Sequence, residues 1–191
     1  ERMKTMPLAR LQIVTDVNRI RQHLNRDIQD AIHAKDGKGK KRIEVKYDGD
    51  PFHLHIGDKV IVCVNEYDTG VFNGDIGWVV DIVNVYCVHV LLEFTSNIVK
   101  MNPSDVKLTL AYVVTTHKSQ GSDFDKTVCV LEKKHRHTDR SLLYTMVTRG
   151  RARVDIICKP NVLKKVINNP PADRDSDMFR LSGTKKKRKR G

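Results

Sequence analysis

The stretch of this sequence richest in chemically useful side chains is THKSQGSDF, residues 116–124, which directly follows the apolar run LAYVV. Open α/β sheets bind ligands at polar, glycine-containing turns that follow the carboxyl ends of their strands. The hydroxyl, imidazole, ammonium and amide groups of this stretch are suitable donors for phosphate. An ordinary surface loop has the same composition, so the residues alone leave a phosphate site and a plain loop as alternatives.

The histidines do not indicate a metal centre. FHLH contains His53 and His55, and KHRHTD contains His135 and His137. Residues two apart in a strand share one face and could bind a metal, but neither pair has a matching set of partners. A surface position is therefore the expectation for both pairs, and no metal ligand is predicted.

The cysteines show neither metal nor redox spacing. They stand at positions 63, 87, 129 and 158, each inside an apolar stretch. Free cysteine behaves as a small buried hydrophobic residue. The pattern predicts four core thiols in a reducing compartment rather than a disulfide framework.

Strand and helix patterns alternate at the two ends of the chain. LQIV, residues 11–14, predicts a buried strand, and apolar residues at helical spacing through 17–32 predict a helix with Thr15 or Asp16 as N-cap. KTVCVL and RVDIIC are continuous apolar runs of the kind that parallel sheets bury on both faces. TDRSLLYTMVTRG between them predicts a helix starting near Thr138 or Asp139, and PNVLKKVIN predicts a last helix with Pro160 at its first position.

The middle of the chain, residues 43–115, follows a different pattern. Short apolar runs separated by turn signals predict strands, namely IEVKY, DKVIVCV, GWVVDIV, VYCVHVLLEF and LAYVVTT. Strands of this length and spacing predict a small barrel. We therefore expect an α/β domain with a β insertion: 1–52 as its first part, 53–107 as the barrel, 108–169 as its remainder, and 170–191 as a disordered basic tail.

The positive charge is concentrated in two segments. The chain has 35 Lys and Arg against 23 Asp and Glu, a net charge of +12. Residues 185–190, KKKRKR, contribute +6, and residues 35–42, KDGKGKKR, contribute +4. Such blocks attract phosphate polymers or importins, or are simply solvated. The chain contains no apolar run long enough for a membrane span.

Three motifs in order resemble those of superfamily 1 DNA helicases of the RecD-like branch. TTHKSQGSDF resembles motif V, and LLYTMVTRGRARV, residues 142–154, resembles motif VI. NEYDTGVFNGDIGWVVDI, residues 65–82, resembles the segment that enters the small Src-homology-type barrel which these helicases carry inside their second RecA-like domain. The resemblance covers roughly residues 8–160 and implies a P-loop NTPase fold: a RecA-like parallel sheet with flanking helices and this inserted barrel.

The resemblance implies a catalytic role for Arg149. In this family two RecA-like domains clamp ATP, and motif VI supplies an arginine that reaches the γ-phosphate. Arginine fingers of this kind are worth about 10³ to 10⁵ in rate because they stabilise charge on the transferred phosphoryl group. Without the motif, the preferred interpretation of Arg149 is a helix C-terminal residue that bonds to the last carbonyls.

The resemblance also implies ligands for motif V. Thr116, His117 and Lys118 are expected to contact the nucleic-acid backbone. The expected ATP contacts, besides Arg149, are Gln120, Gly121 and Asp123. The family usually has Glu at this position. Asp123 is one methylene shorter than Glu, so whether it contacts the ribose stays an open question. At position 150 the family more often has Ala, where this sequence has Gly150. We expect this difference to alter only the stability of the helix.

Two further segments match the family by position. Asn65 and Asn73 occupy polar positions of the barrel segment, and Asn73 is expected to bind nucleic acid. Gly74 after Asn73 predicts a tight turn with positive φ. Asn25 and Gln29 resemble a helix of motif IV, with a solvated helix face as an equal alternative.

The implied function is that of the C-terminal motor domain of an ATP-dependent 5′-to-3′ DNA helicase. The sequence contains neither a Walker A loop nor a Walker B acid pair, so ATP with Mg²⁺ is expected to bind mainly to an N-terminal RecA-like domain, in cis or in trans, and the chain alone is expected to be inactive. A truncated gene product, a non-enzymatic DNA- or RNA-binding module and an RNA helicase are the alternatives.

The tail predicts further partners. Lys185, Lys186, Lys187 and Arg188 are expected to bind nucleic acid, and single-stranded DNA or DNA with a single-stranded end is the expected substrate. TKKKRKRG resembles a nuclear localisation signal, which predicts importin binding and the nucleus or a viral replication site. Without an import role for the tail, the expected location is the cytoplasm.

Overall fold

The structure is a computed structural model of the 191-residue chain, and it describes residues 8–34, 41–47, 50–132 and 138–170. Its strands and helices are, in chain order, β1 (Leu11–Thr15), α1 (Asn18–His33), β2 (Arg42–Tyr47), β3 (Asp50–His55), β4 (Lys59–Ile61), β5 (Ile76–Asn84), β6 (Cys87–Leu92), β7 (Ile98–Met101), β8 (Thr109–Leu110), β9 (Val113–Thr115), β10 (Phe124–Leu131), α2 (Arg140–Val147), β11 (Gly150–Cys158) and α3 (Pro160–Ile167).

A parallel four-stranded sheet forms the α/β part of the fold. Its strand order is β11-β10-β1-β9, so that β1 lies between β10 and β9. Val14, Cys129 and Leu131 from this sheet pack with Met146 of α2 and Val166 of α3 in one buried cluster. The apolar runs of β1 and β10 suit this position because a parallel sheet buries both faces. The alternation of strands and helices predicted for the two ends of the chain is thus present.

The β insertion lies between α1 and β9. β4 to β8 form an antiparallel five-stranded sheet in the order β7-β6-β5-β4-β8, and β2 and β3 form a hairpin. Ile43 and Leu54 of the hairpin belong to the same buried cluster as Val79, Val90 and Leu108 of the insertion. The predicted boundary between residues 52 and 53 falls inside β3, and the strands β3 and β7 were not among those that the pattern predicts.

The run LAYVVTT, expected as one strand, is divided between the two sheets. β8 pairs with β4 in the antiparallel sheet, and β9 pairs with β1 in the parallel sheet. Between them the Ala111 N–H donates to the Lys59 carbonyl at 2.8 Å. Gln12 Nε2 donates to the carbonyls of Ala111 and Tyr112 at 3.0 and 3.2 Å. Gln12 therefore holds the point where the chain leaves the insertion and enters the parallel sheet.

Helix α1 buries polar side chains most deeply. Its apolar residues at 20, 24, 28 and 32 are half-buried, whereas Arg21, Asn25 and Gln29 are buried. Asn25 Nδ2 donates to the Val113 carbonyl at 2.8 Å, and its Oδ1 accepts from the Val113 N–H at 2.9 Å. This amide pairs with strand β9 as a further strand would, and so satisfies backbone groups at the sheet edge. The alternative of a solvated helix face for Asn25 and Gln29 is wrong.

Two of the three helices begin as the capping rules predict. Asp139 is the N-cap of α2 and accepts from the Leu142 N–H at 2.8 Å, and Pro160 is the first residue of α3. Both starts agree with the sequence expectation. The prediction for α1 is wrong, because its N-cap is Val17 rather than Thr15 or Asp16. The Asp16 carboxylate instead accepts from the Thr138 hydroxyl, which joins two loops of the α/β part.

Gly150 is the first residue of β11 and lies outside helix α2. A Cβ at this position would lie 2.9 Å from the Arg153 carbonyl oxygen and 2.5 Å from Val154 Cγ2. The expectation that alanine here alters only helix stability is therefore wrong, since the constraint is a close approach inside a strand that bulges between residues 150 and 153.

The four cysteines are free thiols. Cys87 and Cys129 are buried, as expected for core positions, whereas Cys63 and Cys158 are partly exposed. Within the described parts of the chain, no helix has both the length and the apolar character needed to cross a membrane.

Candidate functional site

The loop of residues 116–123 leaves the carboxyl end of β9 and is anchored from below by Thr116. Both the N–H and the hydroxyl of Thr116 donate to the Thr15 carbonyl at the end of β1, at 3.0 and 3.3 Å. Ser119 is also buried, and its hydroxyl donates to the Thr116 carbonyl at 2.8 Å. The buried hydroxyl of Thr116 is thus used inside the fold, which favours a role in positioning the loop over direct contact with phosphate.

The other predicted ligands of this loop are accessible. His117, Gln120, Gly121 and Asp123 are exposed. Gly121 has a φ of +84°, in the left-handed region that glycine adopts without strain. This turn brings the backbone of residues 120–123 to the surface, where a ligand can approach it closely.

Arg149 lies directly after helix α2 and reaches this loop. Its Nη1 donates to the Ser122 carbonyl at 3.2 Å and lies 3.4 Å from Asp123 Oδ1. Its Nε donates to the Thr145 carbonyl in the last turn of α2 at 3.2 Å. The structure therefore brings together the motif VI arginine and the motif V aspartate, and it also shows the helix-end contact of the alternative interpretation.

A second arginine lies on the other side of Asp123. Arg151 Nη2 is 3.5 Å from Asp123 Oδ2, while Arg149 Nη1 faces Oδ1. The Arg151 pair is open to solvent, with side chains 68% and 42% exposed, whereas the Arg149 side chain is only 20% exposed. Arg151 was missed by the sequence analysis, although the run RGRAR provides the signal. An anion that displaces Asp123 would meet two guanidinium groups.

The predicted barrel segment forms a turn on the insertion. The Asn73 N–H donates to Asn65 Oδ1 at 2.7 Å, and Gly74, with the predicted positive φ of +103°, donates to the Val62 carbonyl at 2.9 Å. Two aromatic rings that the sequence analysis did not single out, Tyr67 and Phe72, are exposed here and form an edge-to-face pair with centroids 6.3 Å apart.

The barrel segment and the motif V loop lie next to each other. Lys118 Nζ is 2.9 Å from Cys63 Sγ, two residues before Asn65. Lys118 is half-buried, so its stem packs at this junction while its ammonium group contacts the insertion. The expected nucleic-acid residues His117, Lys118 and Asn73 are therefore on neighbouring segments. The predicted tail residues 185–188 and the histidines 135 and 137 lie outside the described residues.

A separate polar cluster connects α1 to the insertion around Asp58, far more buried than the Asp123 site. Asp58 Oδ1 accepts from the Tyr112 hydroxyl at 2.9 Å and lies 2.8 Å from His33 Nε2. Asp58 Oδ2 accepts from Gln29 Nε2 at 2.6 Å and from the His55 N–H at 2.7 Å. The expectation of a surface position is wrong for His55, whose side chain is 16% exposed, whereas His53 is exposed.

The cluster keeps Asp58 ionised. Burial alone would raise the pKa of Asp58, but hydrogen bonds from the side chain and backbone of His55 and from His33 and Tyr112 outweigh it and hold the pKa below its ordinary value. The neighbouring Lys59 is buried as well, and burial lowers its pKa to about 8. Its Nζ donates to the Leu11 carbonyl at 3.1 Å and lies 5.4 Å from the centre of the Trp78 ring.

Two family models match the chain. One describes the SH3 domain of ATP-dependent RecD-like DNA helicases and matches residues 24–94, and the other describes the UvrD-like helicase C-terminal domain and matches residues 110–157. The first covers most of the insertion, and the second covers the motif V loop, α2 and most of β11.

Curated relatives match over part of their length. The chain is 32% identical over 99 residues to the ATP-dependent RecD2 DNA helicase of Deinococcus radiodurans, which is 51% of this chain and 13% of that protein. It is 28% identical over 138 residues to the ATP-dependent DNA helicase Pif1 of Campylobacter jejuni, which is 59% of this chain and 28% of that protein. The chain thus spans less than a third of either relative.

Solved Pif1 structures share the fold. The chain superposes with a TM-score of 0.63 and 20% identity on a Pif1 helicase studied at forked double-stranded DNA, over 91% of this chain and 45% of that one. It superposes with a TM-score of 0.60 and 20% identity on Bacteroides Pif1 in complex with ADP-AlF3 and single-stranded DNA, over 91% and 46%. The prediction of a RecA-like α/β domain with an inserted Src-homology-type barrel is confirmed.

Proposed function

We propose a function for this chain as a member of the RecD-like branch of the superfamily 1 helicases, which its two family models and its RecD2 relative support. It serves as the second motor domain of an ATP-dependent 5′-to-3′ DNA helicase. It supplies an arginine finger and nucleic-acid backbone contacts, while a RecA-like domain with a Walker A loop, in cis or in trans, holds most of ATP and Mg²⁺.

The convergence of Arg149 and Asp123 carries this proposal. Arg149 is held by the Thr145 and Ser122 carbonyls, at 3.2 Å each, so its guanidinium is positioned before any ligand arrives. Its pairing with Asp123 is long, at 3.4 Å, and partly exposed. Exposed ion pairs contribute about 0–1 kcal/mol, so phosphate oxygens can replace Asp123 at little cost. A positioned guanidinium with an exchangeable partner is what an arginine finger requires.

The nucleotide and the DNA contact different residues of the chain. Gln120, Gly121 and Asp123 contact the nucleotide from the exposed part of the motif V loop. His117, Lys118 and Asn73 contact the DNA backbone where the loop meets the insertion, and Thr116 supports the loop from below. Residues 185–188 add sequence-independent attraction for phosphate and direct the protein to the nucleus through importin.

The exposed pair of Tyr67 and Phe72 favours a single-stranded substrate. Bases that are not paired stack on aromatic side chains, and the two rings stand beside Asn73 on the insertion. A Pif1 neighbour was solved with single-stranded DNA bound. Single-stranded DNA, or duplex DNA with a single-stranded end, is the substrate that we propose.

A non-enzymatic nucleic-acid-binding module is the second candidate. The hydrogen bond from Arg149 Nε to the Thr145 carbonyl favours it, because it gives this arginine a structural role at the end of α2. In that case the basic segments and the motif V loop hold nucleic acid without any contribution to ATP hydrolysis.

ATP hydrolysis stimulated by single-stranded DNA distinguishes the two candidates. The complete motor is expected to hydrolyse ATP, and the 191-residue chain by itself is expected to show no turnover, because its sequence contains no phosphate-cradling Walker A loop. A protein that binds DNA but shows no turnover in either form would support the binding module. Turnover by the purified 191-residue chain, abolished by Arg149→Ala, would contradict the division of the active site that we propose.

A further inference from the structure

The polar cluster around Asp58 contains a set of three metal-ligating side chains. His33 is the last residue of α1, His55 is the last residue of β3, and Asp58 immediately precedes β4. His33 Nε2 lies 2.8 Å from Asp58 Oδ1, and His55 Nδ1 lies 3.6 Å from Asp58 Oδ2. The three ligand atoms lie within 4.8 Å of one another. Ligands of a tetrahedral zinc ion, at about 2.0 Å from the metal, are roughly 3.3 Å apart, which falls between the two measured distances.

The Asp58 carboxylate is buried and faces two imidazoles. Its side chain is fully buried, and burial of an ionised carboxylate is costly unless it is paired. Within the described ranges of the chain, the basic side chains that face the Asp58 carboxylate are His33 and His55. Lys59, the adjacent residue, directs its ammonium group to the Leu11 carbonyl instead. A cation held between the two imidazoles and the carboxylate would pair with this buried negative charge.

The neighbours of the three side chains orient them as outer-shell groups orient metal ligands. Gln29 Nε2 donates to Asp58 Oδ2 at 2.6 Å, and the Tyr112 hydroxyl donates to Oδ1 at 2.9 Å. Oδ1 thus has one fixed donor and Oδ2 has two, the second being the His55 N–H at 2.7 Å, and each oxygen also faces a histidine side chain. The two imidazole rings stack with centroids 4.5 Å apart and an interplanar angle of 27°, so they lie next to each other.

We propose that His33, His55 and Asp58 bind one divalent transition metal ion, with zinc as the most suitable ion, which fastens helix α1 to the inserted barrel. Two imidazoles and one carboxylate suit zinc and its neighbours in the first transition row, whereas magnesium and calcium prefer sets of oxygen ligands. Three protein ligands leave a fourth position open for a small ligand. The site is independent of ATP and DNA, since its residues lie outside the motif V loop and the Arg149 region.

Zinc binding to the untagged 191-residue chain, freed of metal with EDTA, tests the proposal. Isothermal titration is expected to show one zinc ion per chain, and zinc is expected to raise the unfolding temperature. Cobalt in place of zinc is expected to give visible absorption without a sulfur-to-metal charge-transfer band. Such a band would move the site to a cysteine and overturn the assignment.

Variants locate the site. His55→Ala removes a ligand and is expected to weaken zinc binding by more than the roughly 10- to 100-fold that loss of an outer-shell partner costs. His33→Gln keeps an N–H donor for Asp58, so it preserves the hydrogen bonds of the metal-free cluster but lacks the imidazole; it is expected to fold and to lose zinc affinity likewise. His89→Ala is the matched control, because His89 also faces a carboxylate, Asp81 at 3.5 Å, on the surface of the insertion.

The control variant is expected to bind zinc as the wild type does. If His55→Ala fails to fold, His33→Gln decides the question by itself. Wild-type zinc affinity in a folded His33→Gln variant, or the absence of a stoichiometric site in the wild type, would overturn the proposal and leave the cluster as a network of hydrogen bonds alone.

Discussion

Two aspartates in this molecule each face two basic side chains, yet their surroundings give them opposite roles. Asp123 lies between Arg149 and Arg151 with its side chain 42% exposed, and its ion pairs measure 3.4 and 3.5 Å. Asp58 lies between His33 and His55, is fully buried and accepts further hydrogen bonds from Gln29 and Tyr112. Both groups are aspartates, but they differ in burial and in the number of fixed hydrogen-bond donors. This difference separates a carboxylate that a ligand can replace from one on which the fold depends.

Loss of the buried carboxylate is the change with the largest expected effect on stability. Asp58→Ala leaves several donors without an acceptor and is expected to lower the free energy of unfolding by about 3–5 kcal/mol. Asp123→Ala, the matched control, is expected to change it by no more than about 0.5 kcal/mol. Urea unfolding in the presence of EDTA measures both. Equal losses of unfolding free energy in the two variants would contradict the different roles of the two aspartates.

Lys59 is a buried cation next to Asp58. Its titration is expected to change the free energy of unfolding by about 3 kcal/mol at most. Burial lowers the pKa of Lys59 to about 8 in the folded chain, against about 10.4 in the unfolded chain. The unfolded chain therefore binds more protons between these values, and the free energy of unfolding should rise as pH increases from about 8 to about 10.4.

Lys59→Met removes this group and is expected to flatten the rise with pH. Urea unfolding at several values of pH across this window measures the slope. Lys126→Met, at an exposed position of β10, is the control and should keep the wild-type slope. A Lys59→Met variant with an unchanged slope would show that this lysine does not titrate between the two values.

A close backbone approach at the start of β11 gives a smaller expected effect. Gly150→Ala would place a methyl group 2.9 Å from the Arg153 carbonyl oxygen, and overpacking of this kind costs about 1–3 kcal/mol. Because Gly150 follows Arg149 directly, a shifted strand would also move the exposed site. Thermal unfolding measures the loss of stability, and a variant with the melting temperature of the wild type would show that β11 adapts without strain.

The exposed rings of the insertion are expected to affect DNA binding rather than stability. Tyr67→Ala is expected to weaken binding of single-stranded DNA by about 1–3 kcal/mol if one base stacks on this ring. Tyr86→Ala is the control, because Tyr86 is similarly exposed, at 72% against 78%, but lies in the turn between β5 and β6. Fluorescence anisotropy at fixed salt compares the two. Equal affinities in both variants would remove Tyr67 from the DNA site.

The sequence locates the segments of the exposed site, but it does not locate the buried cluster. The motif V stretch follows a predicted apolar strand, so local pattern located this loop, whereas Arg149 was singled out only through the resemblance of its motif. The starts of α2 and α3 were predictable because Asp139 and Pro160 act on adjacent backbone. The strands β3 and β7 were not predicted, although Phe52 and Leu54 of β3 alternate with His53 and His55.

The polar face of α1 could not be predicted from local pattern. Asn25 bonds to Val113 and Gln29 bonds to Asp58, partners 88 and 29 residues away along the chain. A polar residue next to an apolar stripe looks solvated unless its distant partner is known. The same holds for His55, whose partners come from α1 and from the turn before β4.

Single-turnover ATP hydrolysis by the complete motor with Arg149→Lys tests whether Arg149 acts as an arginine finger. Lysine keeps the charge but lacks the planar fork that spans two phosphate oxygens, so the rate is expected to fall by about 10³ or more while ATP and DNA affinities stay near those of the wild type. Arg151→Lys, on the other side of Asp123, is the control and should retain most of the rate. Near-normal turnover in Arg149→Lys, with an unchanged melting temperature, would contradict the account and leave Arg149 as the residue that caps helix α2.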